Sequence, residues 1–416
     1  MSGWQDVRTE SPPMPAIKGF KAQGGQHVNA TAIANLLAHA GQVNPVDGEP
    51  FDDVFIAGVG GGLGNGLGDC PSVLRYGLGA GISVVGSYGS LDWAGAWQDT
   101  VFRRFQASVI REEASSAAAG AKKALAQLDE GRPVLLQCAR MLPQHGDDLS
   151  AGACGASHAV VIHAIDTTAE VALVAEHAKK SLGVPLAVLD KARGAVCTHK
   201  RRQYAIKATE PLTVAAVAAM ARDGMQDGVA AMKKPRITTY SLAALLTWAD
   251  NVENFSGKKG WVKNYGARIA WPLMETWATI ECAPPRGGLG RAHYAEFVER
   301  AAGLLRNKAL DSAATAWRSA GKSWQAVAAE ALPVEIKPFA AWRKLKLDGK
   351  KALLAGDAAK SRELANAEIS AKKSLGTAPH MEGADLEEQL RAVAAAVRVV
   401  HAAETKAWQA MDAALA

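Results

Sequence analysis

His158 and Glu176 stand at corresponding ends of two apolar runs eighteen residues apart, a spacing that can unite a base with an orienting carboxylate. His158 heads Ala159-Val160-Val161-Ile162, and Glu176 closes Val171-Ala172-Leu173-Val174-Ala175. Asp166-Thr167-Thr168-Ala169-Glu170 between them reads as a turn, which predicts an antiparallel hairpin. The two side chains then fall on neighbouring strands, within hydrogen-bonding reach. An imidazole so placed takes a proton from a nucleophile while the carboxylate fixes its tautomer. The alternative for a histidine on an apolar strand is a core residue satisfied by its neighbours.

A second group of residues lies far upstream. Gly24-Gly25-Gln26-His27-Val28-Asn29 begins as a glycine turn and continues as a helix, because Val28, Ala32, Ile33, Leu36 and Leu37 recur at helical spacing. Asn29 is the expected N-cap. A helix N-terminus favours a thiolate or an oxyanion, yet the first turn carries Val28 and no nucleophile. Cys154, four residues before His158, is the candidate substitute thiol, and Cys70 follows a glycine loop. A buried, inert cysteine is the alternative for both. His27, His158 and Glu176 also compose a two-histidine, one-carboxylate donor set. Nothing in the sequence demands a metal there, and no metal or cofactor is expected. The glycine loop, Gly58 to Gly68, lacks the spacing of a phosphate-binding loop. Its glycines instead predict close backbone approach, either to the helix or to a long thin ligand.

These stretches resemble the butirosin-biosynthesis protein H family. His27-Val28-Asn29-Ala30-Thr31-Ala32 with Asn35-Leu36-Leu37 is similar to that family's His-Cys-x-x-Thr-Ala-x-x-Asn-Leu-Leu signature, with Val28 in the place of cysteine. Gly58-Val59-Gly60-Gly61-Gly62-Leu63-Gly64 is similar to its glycine segment, and Ala156-Ser157-His158-Ala159-Val160-Val161 to its Gly-Gly-His-Ala-Val-Val strand. Ser241 to Leu332, with Lys259-Gly260-Trp261, Gly287-Gly288-Leu289 and Tyr294-Ala295-Glu296-Phe297, resembles the helical domain that follows. The resemblance implies a papain-like α/β domain followed by an all-α domain. It implies His158 and Glu176 as catalytic pair, although the family usually carries aspartate where Glu176 stands; the extra methylene adds about 1.5 Å of reach. It places His27 in the pocket, and Asn29, Gly60, Gly61, Gly62 and Leu63 against substrate.

The implied activity is acyl transfer from the phosphopantetheine thioester of an acyl-carrier protein to an amine acceptor in specialised metabolism. Without a cysteine, His158 would deprotonate an amine that attacks the thioester directly. The alternative is a catalytically inactive homologue that binds a carrier protein, an acyl chain or a partner subunit.

Composition sets the frame. The chain's 416 residues suit more than one core. Its net charge of +6 is spread among 41 acidic and 47 basic residues, which favours an acidic partner at long range but forms no stripe for nucleic acid. The five cysteines include no C-x-x-C pair, which suits a reducing cytoplasm. No signal peptide or membrane span is read. The expected organisation is a disordered arm over 1–20, a papain-like α/β domain over 21–210, a helical domain over 211–344 and a helical extension over 345–416. Strands are expected at Val54–Ala57, Gly81–Val85 and Pro133–Cys138, and helices at 114–130 and 213–232. The tryptophans from Trp248 to Trp324 read as helical core. The charged extension reads as two long helices forming a solvated hairpin, or as an oligomer contact that would make a homodimer.

Overall fold

The computed structural model describes residues 17–61, 66–69, 82–85, 96–139, 158–195, 200–234, 241–282, 286–375 and 382–416. The central helix, α1 (Val28–His39), has buried side chains at every position from Ala30 to Leu37. A helix buried on every side must be wrapped all round. One side is a sheet built of β3 (Ala107–Glu112), β4 (Val134–Cys138), β5 (His158–Asp166), β6 (Val171–Ala175), β7 (Leu182–Pro185) and β8 (Gln203–Thr209). Its order is β3-β8-β4-β5-β6-β7, with every neighbouring pair antiparallel. A separate antiparallel pair joins β1 (Gly66–Asp69) and β2 (Ile82–Val85).

Strand alternation divides the sheet's side chains between two layers. Leu135, Ala159, Val161 and Ala175 enter the same core as α1. Leu136, Val160, Ile162, Ala172 and Val174 enter a smaller core with Ala124 of α4 (Ala117–Asp129) and Leu189 and Ala192 of α5 (Leu186–Gly194). Both faces are covered, so β5 reads as a nearly unbroken apolar run. Mixed α/β structure with a helical C-terminal part is thus what the chain forms.

The expected strand at Val54–Ala57 is instead helix α2 (Asp53–Val59). Asp52 caps it, with Oδ1 accepting the Phe55 N–H at 3.0 Å. The apolar run is helical because α1, α6 (Val214–Lys233) and α10 (Arg291–Leu305) surround it, and four apolar residues alone do not distinguish the two states. α3 (Ala96–Arg104) follows β2 and leads into β3. Residues 1–16 lie outside the described residues, but residues 17–20 of the expected arm are placed. The Ile17 N–H donates to His163 O at 3.0 Å, and Phe20 stacks on the His163 ring at 4.2 Å.

The helical part comprises α7 (Leu242–Glu253), α8 (Trp261–Tyr265), α9 (Ala270–Glu281), α10, α11 (Ala309–Ala331), α12 (Lys337–Leu354), α13 (Ala358–Leu375) and α14 (Gly383–Leu415). Of the expected tryptophan series, Trp248, Trp261, Trp277 and Trp324 enter its core together with Trp342, Trp271 packs against that core partly buried, and Trp317 enters the core around α1 instead. α13 and α14 flank the expected break near Gly376–Pro379, which lies outside the described residues. α14 is not a solvated helix, because one face of it is buried within the chain. Its face Leu390, Val393, Ala394, Val397 and Val400 fills the tryptophan core, and Ala407 and Met411 fill the core around α1. The charges on its other face dominate the composition and conceal this stripe. Among the described residues no helix is long and apolar enough to cross a membrane.

Where α14 passes from one core to the other, Glu404 is fully buried. Its Oε1 accepts from Arg291 Nε at 2.6 Å and from Trp324 Nε1 at 2.7 Å, and the Arg291 guanidinium lies 5.8 Å from the Trp317 ring centroid. Removing one partner strands the other as a buried charge, at a cost of about 3–5 kcal/mol. Glu404→Ala should therefore lower the unfolding free energy by roughly that amount in urea titrations. Replacing both, as Glu404→Leu with Arg291→Met, should recover most of the loss.

Candidate functional site

The turn ahead of α1 is held from three directions. The Asp53 carboxylate of α2 accepts two backbone N–H groups through Oδ2, from Gln26 at 2.8 Å and His27 at 2.7 Å. On the sheet side, the Gly25 N–H donates to His177 O at 2.8 Å, and His177 Nδ1 donates back to Gly25 O at 3.0 Å. From the helical part, the Arg286 N–H donates to Gln26 Oε1 at 3.0 Å. Gly25 must be glycine, since a Cβ there would sit 2.3 Å from Thr31 Oγ1 and 2.8 Å from Asp53 Cγ.

His27, not Asn29, caps α1: its Nδ1 accepts the Ala30 N–H at 3.3 Å. Asn29 lies inside the first turn and has a tertiary partner. Its Oδ1 accepts the Ala159 N–H at 3.0 Å, fastening the start of α1 to the head of β5. Val28 and His158 each precede one member of that bond in sequence. The β5–β6 hairpin forms as its turn residues predict, and His158 Nε2 is hydrogen-bonded to Glu176 Oε1, with both side chains buried.

Cys138 lies directly opposite His158 on β4, and its Sγ donates to His158 O at 3.1 Å. Burial, with the Glu176 carboxylate adding to it, pushes this thiol far above its ordinary range and keeps it protonated. It is a packed core thiol. Cys70, Cys154, Gly62 and Leu63 lie outside the described residues. Gly60 is described, and the close approach it permits is to an aromatic ring rather than to α1: a Cβ there would meet Trp97 Nε1 at 2.1 Å. Gly61 adopts a positive φ of 93°.

The rings of Trp97 and His293 both lie nearly parallel to His27, at 6.0 Å and 20° and at 6.4 Å and 23° respectively. The His177 ring meets His158 edge-on at 6.3 Å. Four histidines from four segments thus gather about the turn. Burial, then the neighbouring His293, lowers the His27 pKa to about 4, and burial lowers that of His293. Both rings are neutral near pH 7. Among the described residues, no group of three or more histidine, cysteine, aspartate or glutamate side chains is gathered so as to hold a metal ion.

Asp53, Trp97, His177 and His293 are the members that sequence reasoning missed. His293 carried a usable signal: it shares the helical spacing of Phe297 and Ala301, which marks a polar side chain on a buried face. Asp53 carried none, because its partners are backbone groups 26 and 27 residues away. Gln137, opposite Ala159 across the β4–β5 ladder, is buried with neither amide atom hydrogen-bonded among the described residues.

Residues 186–346 match the family model described as a domain of unknown function, DUF4872. The matched span runs from α5 into α12 and includes Arg286 and His293, but not the turn, His158 or Glu176. Comparison with curated proteins gives no match.

The His27 pKa of about 4 in the fold lies below the 6.5 of the unfolded chain, so on acidification the unfolded chain binds the proton first. This contribution to stability is complete above pH 6.5 and is lost as the pH falls from 6.5 toward 4. His163, also lowered to about 4 by burial, adds to the same slope. His27→Asn keeps a capping side chain and removes one titration. Urea unfolding across pH 4 to 7 should show a shallower acid-side decline in this variant than in wild type.

Proposed function

We propose that the chain is a cysteine-less relative of the butirosin-biosynthesis protein H family, with a papain-like α/β part. It transfers an acyl group from a carrier-protein phosphopantetheine thioester to an amine. The observation that carries this reading is the buried His158–Glu176 pair, set at the head of β5 beside the N-terminus of α1 by the Asn29–Ala159 bond.

The chemistry follows from the tautomer. With Nε2–H donated to Glu176, His158 Nδ1 holds the lone pair and is the basic nitrogen. The acceptor amine attacks the thioester carbonyl, forming C–N. Its proton passes to Nδ1, the C–S bond breaks, and the protonated imidazole returns a proton to the leaving thiolate. The products are an amide and a free pantetheine thiol. No acyl-enzyme is required, because an amine is a competent nucleophile and a thioester is already activated. Holding the two together supplies the effective concentration, and the base adds about 10²–10⁴-fold. The N-terminus of α1 is the natural site for the developing oxyanion. Val28 supplies no group that could carry an acyl chain, and the Cys138 thiol is buried and protonated.

A second reading, a catalytically silent homologue that holds a carrier protein or acyl chain, is favoured by one observation: an apolar valine where the resemblance puts the nucleophile.

Mass spectrometry of acyl-pantetheine and carrier-bound donors with a panel of amines separates the two. Amide should form with wild type and fall about 10²–10⁴-fold in His158→Ala, with no adduct on the protein. Binding without amide in both proteins would leave the scaffold reading. Val28→Cys should acquire an acyl adduct detectable on the intact protein, and failure to do so with a donor that the wild type uses would count against the alignment of α1 with a nucleophile helix.

A further inference from the structure

His293 is 5 % exposed, and neither of its ring nitrogens has a hydrogen-bond partner among the described residues. A buried imidazole with both nitrogens unsatisfied is a standing cost to folding, and phenylalanine would fill the same place on α10 without it. The ring is not isolated in apolar packing. It stacks with His27, the cap of α1, and the segment leading into α10 is tied to the same turn through Arg286 and Gln26. Two independent features therefore meet at one place: the N-terminus of a twelve-residue helix and an unpartnered polar side chain facing its cap.

The charge state selects the ligand. Burial holds the His293 ring neutral near pH 7, so it offers one N–H and one lone pair. A secondary amide offers one carbonyl and one N–H, the matching complement. A carboxylate oxygen could use only the N–H and an ammonium only the lone pair, leaving the other nitrogen unsatisfied. The Trp97 indole, stacked on the other described neighbour of this group, His27, adds a flat apolar surface beside the turn.

We propose that His293 is a substrate-binding residue, through which the helical part of the chain hydrogen-bonds an amide of a pantetheine-type arm beside the Gly24–Val28 turn. The identity of the arm rests on the acyl-transfer reading; the assignment of the ring as a ligand contact does not.

Pantetheine itself, which carries no acyl group to transfer, is the probe, used with the full chain. In ¹⁵N-imidazole NMR the His293 resonances, assigned by their loss in His293→Phe, should shift as pantetheine is added. His293→Phe should raise the Kd about tenfold, the factor expected for one hydrogen-bonded contact, while its Tm equals or exceeds that of wild type. His293→Gln, which restores a donor and an acceptor, should regain part of the affinity. Unmoved ring resonances, equal Kd values in wild type and His293→Phe, or no binding by wild type would each overturn the proposal. Should His293→Phe fail to fold, the wild-type shifts and the Gln variant decide the matter. Binding as expected without amide formation by wild type would sink the acyl-transfer reading and leave this assignment standing.

Discussion

The Asp53 carboxylate is the point on which the site depends. A turn that presents the start of a buried helix leaves backbone N–H groups without helical partners, and leaving them unsatisfied would cost more than the turn gains. Asp53 takes two of them with one oxygen. That fixes the direction in which α1 begins, and with it the place of His27, Val28 and Asn29. The carboxylate belongs to the first turn of α2, where the helix dipole favours a negative charge, so the group that orders one helix is itself stabilised by another. Gly25 completes the arrangement by leaving room for Thr31 and Asp53 where any side chain would collide with them.

From this turn outward, the site is assembled from pieces remote in sequence. The sheet contributes His158, Glu176 and His177; α2 contributes Asp53; α10 contributes His293. The helical part is therefore not an appendage hung on an α/β core. Val217, Met220 and Met225 of α6 and Tyr294, Phe297 and Val298 of α10 lie in the same apolar cluster as Ile33 and Leu36 of α1. Arg300 of α10 reaches Asp52 at 2.7 Å, one residue from the carboxylate that orders the turn. A shift of α10 would disturb the turn and the histidines together.

Much of this was legible in the residues, and the exceptions have physical causes. The hairpin carrying His158 and Glu176 was readable because two short β-branched apolar runs and the turn chemistry between them agree. The helix following the glycine turn was readable for a like reason, its apolar positions recurring every three to four residues. The state of Val54–Ala57 was not, because a short apolar run is equally content in a buried strand or a buried helix, and packing decides. Asn29 was misjudged as a cap because its local preference lost to a tertiary need, the Ala159 N–H at the head of β5. The burial of α14 was hidden by the charges of its opposite face, although Leu390, Val393, Val397 and Val400 keep helical spacing. Asp53 and His177 were beyond reach, since each acts through backbone atoms whose nearness the fold alone creates.

α14 has a consequence for the way the molecule comes apart. One unbroken helix of 33 residues, about 50 Å long, lends its first half to the tryptophan core and its second to the core around α1. Its contacts bridge great stretches of chain; Trp408 Nε1, for example, donates to Val229 O across 179 positions. Fraying of either core deprives the other of a wall, so the two share a single cooperative transition instead of melting in turn. Such long-range closure is also slow to nucleate, since the entropy of ordering the intervening chain is lost before the contacts reward it. The same helix that makes the molecule one thermodynamic unit makes its folding a late and collective event.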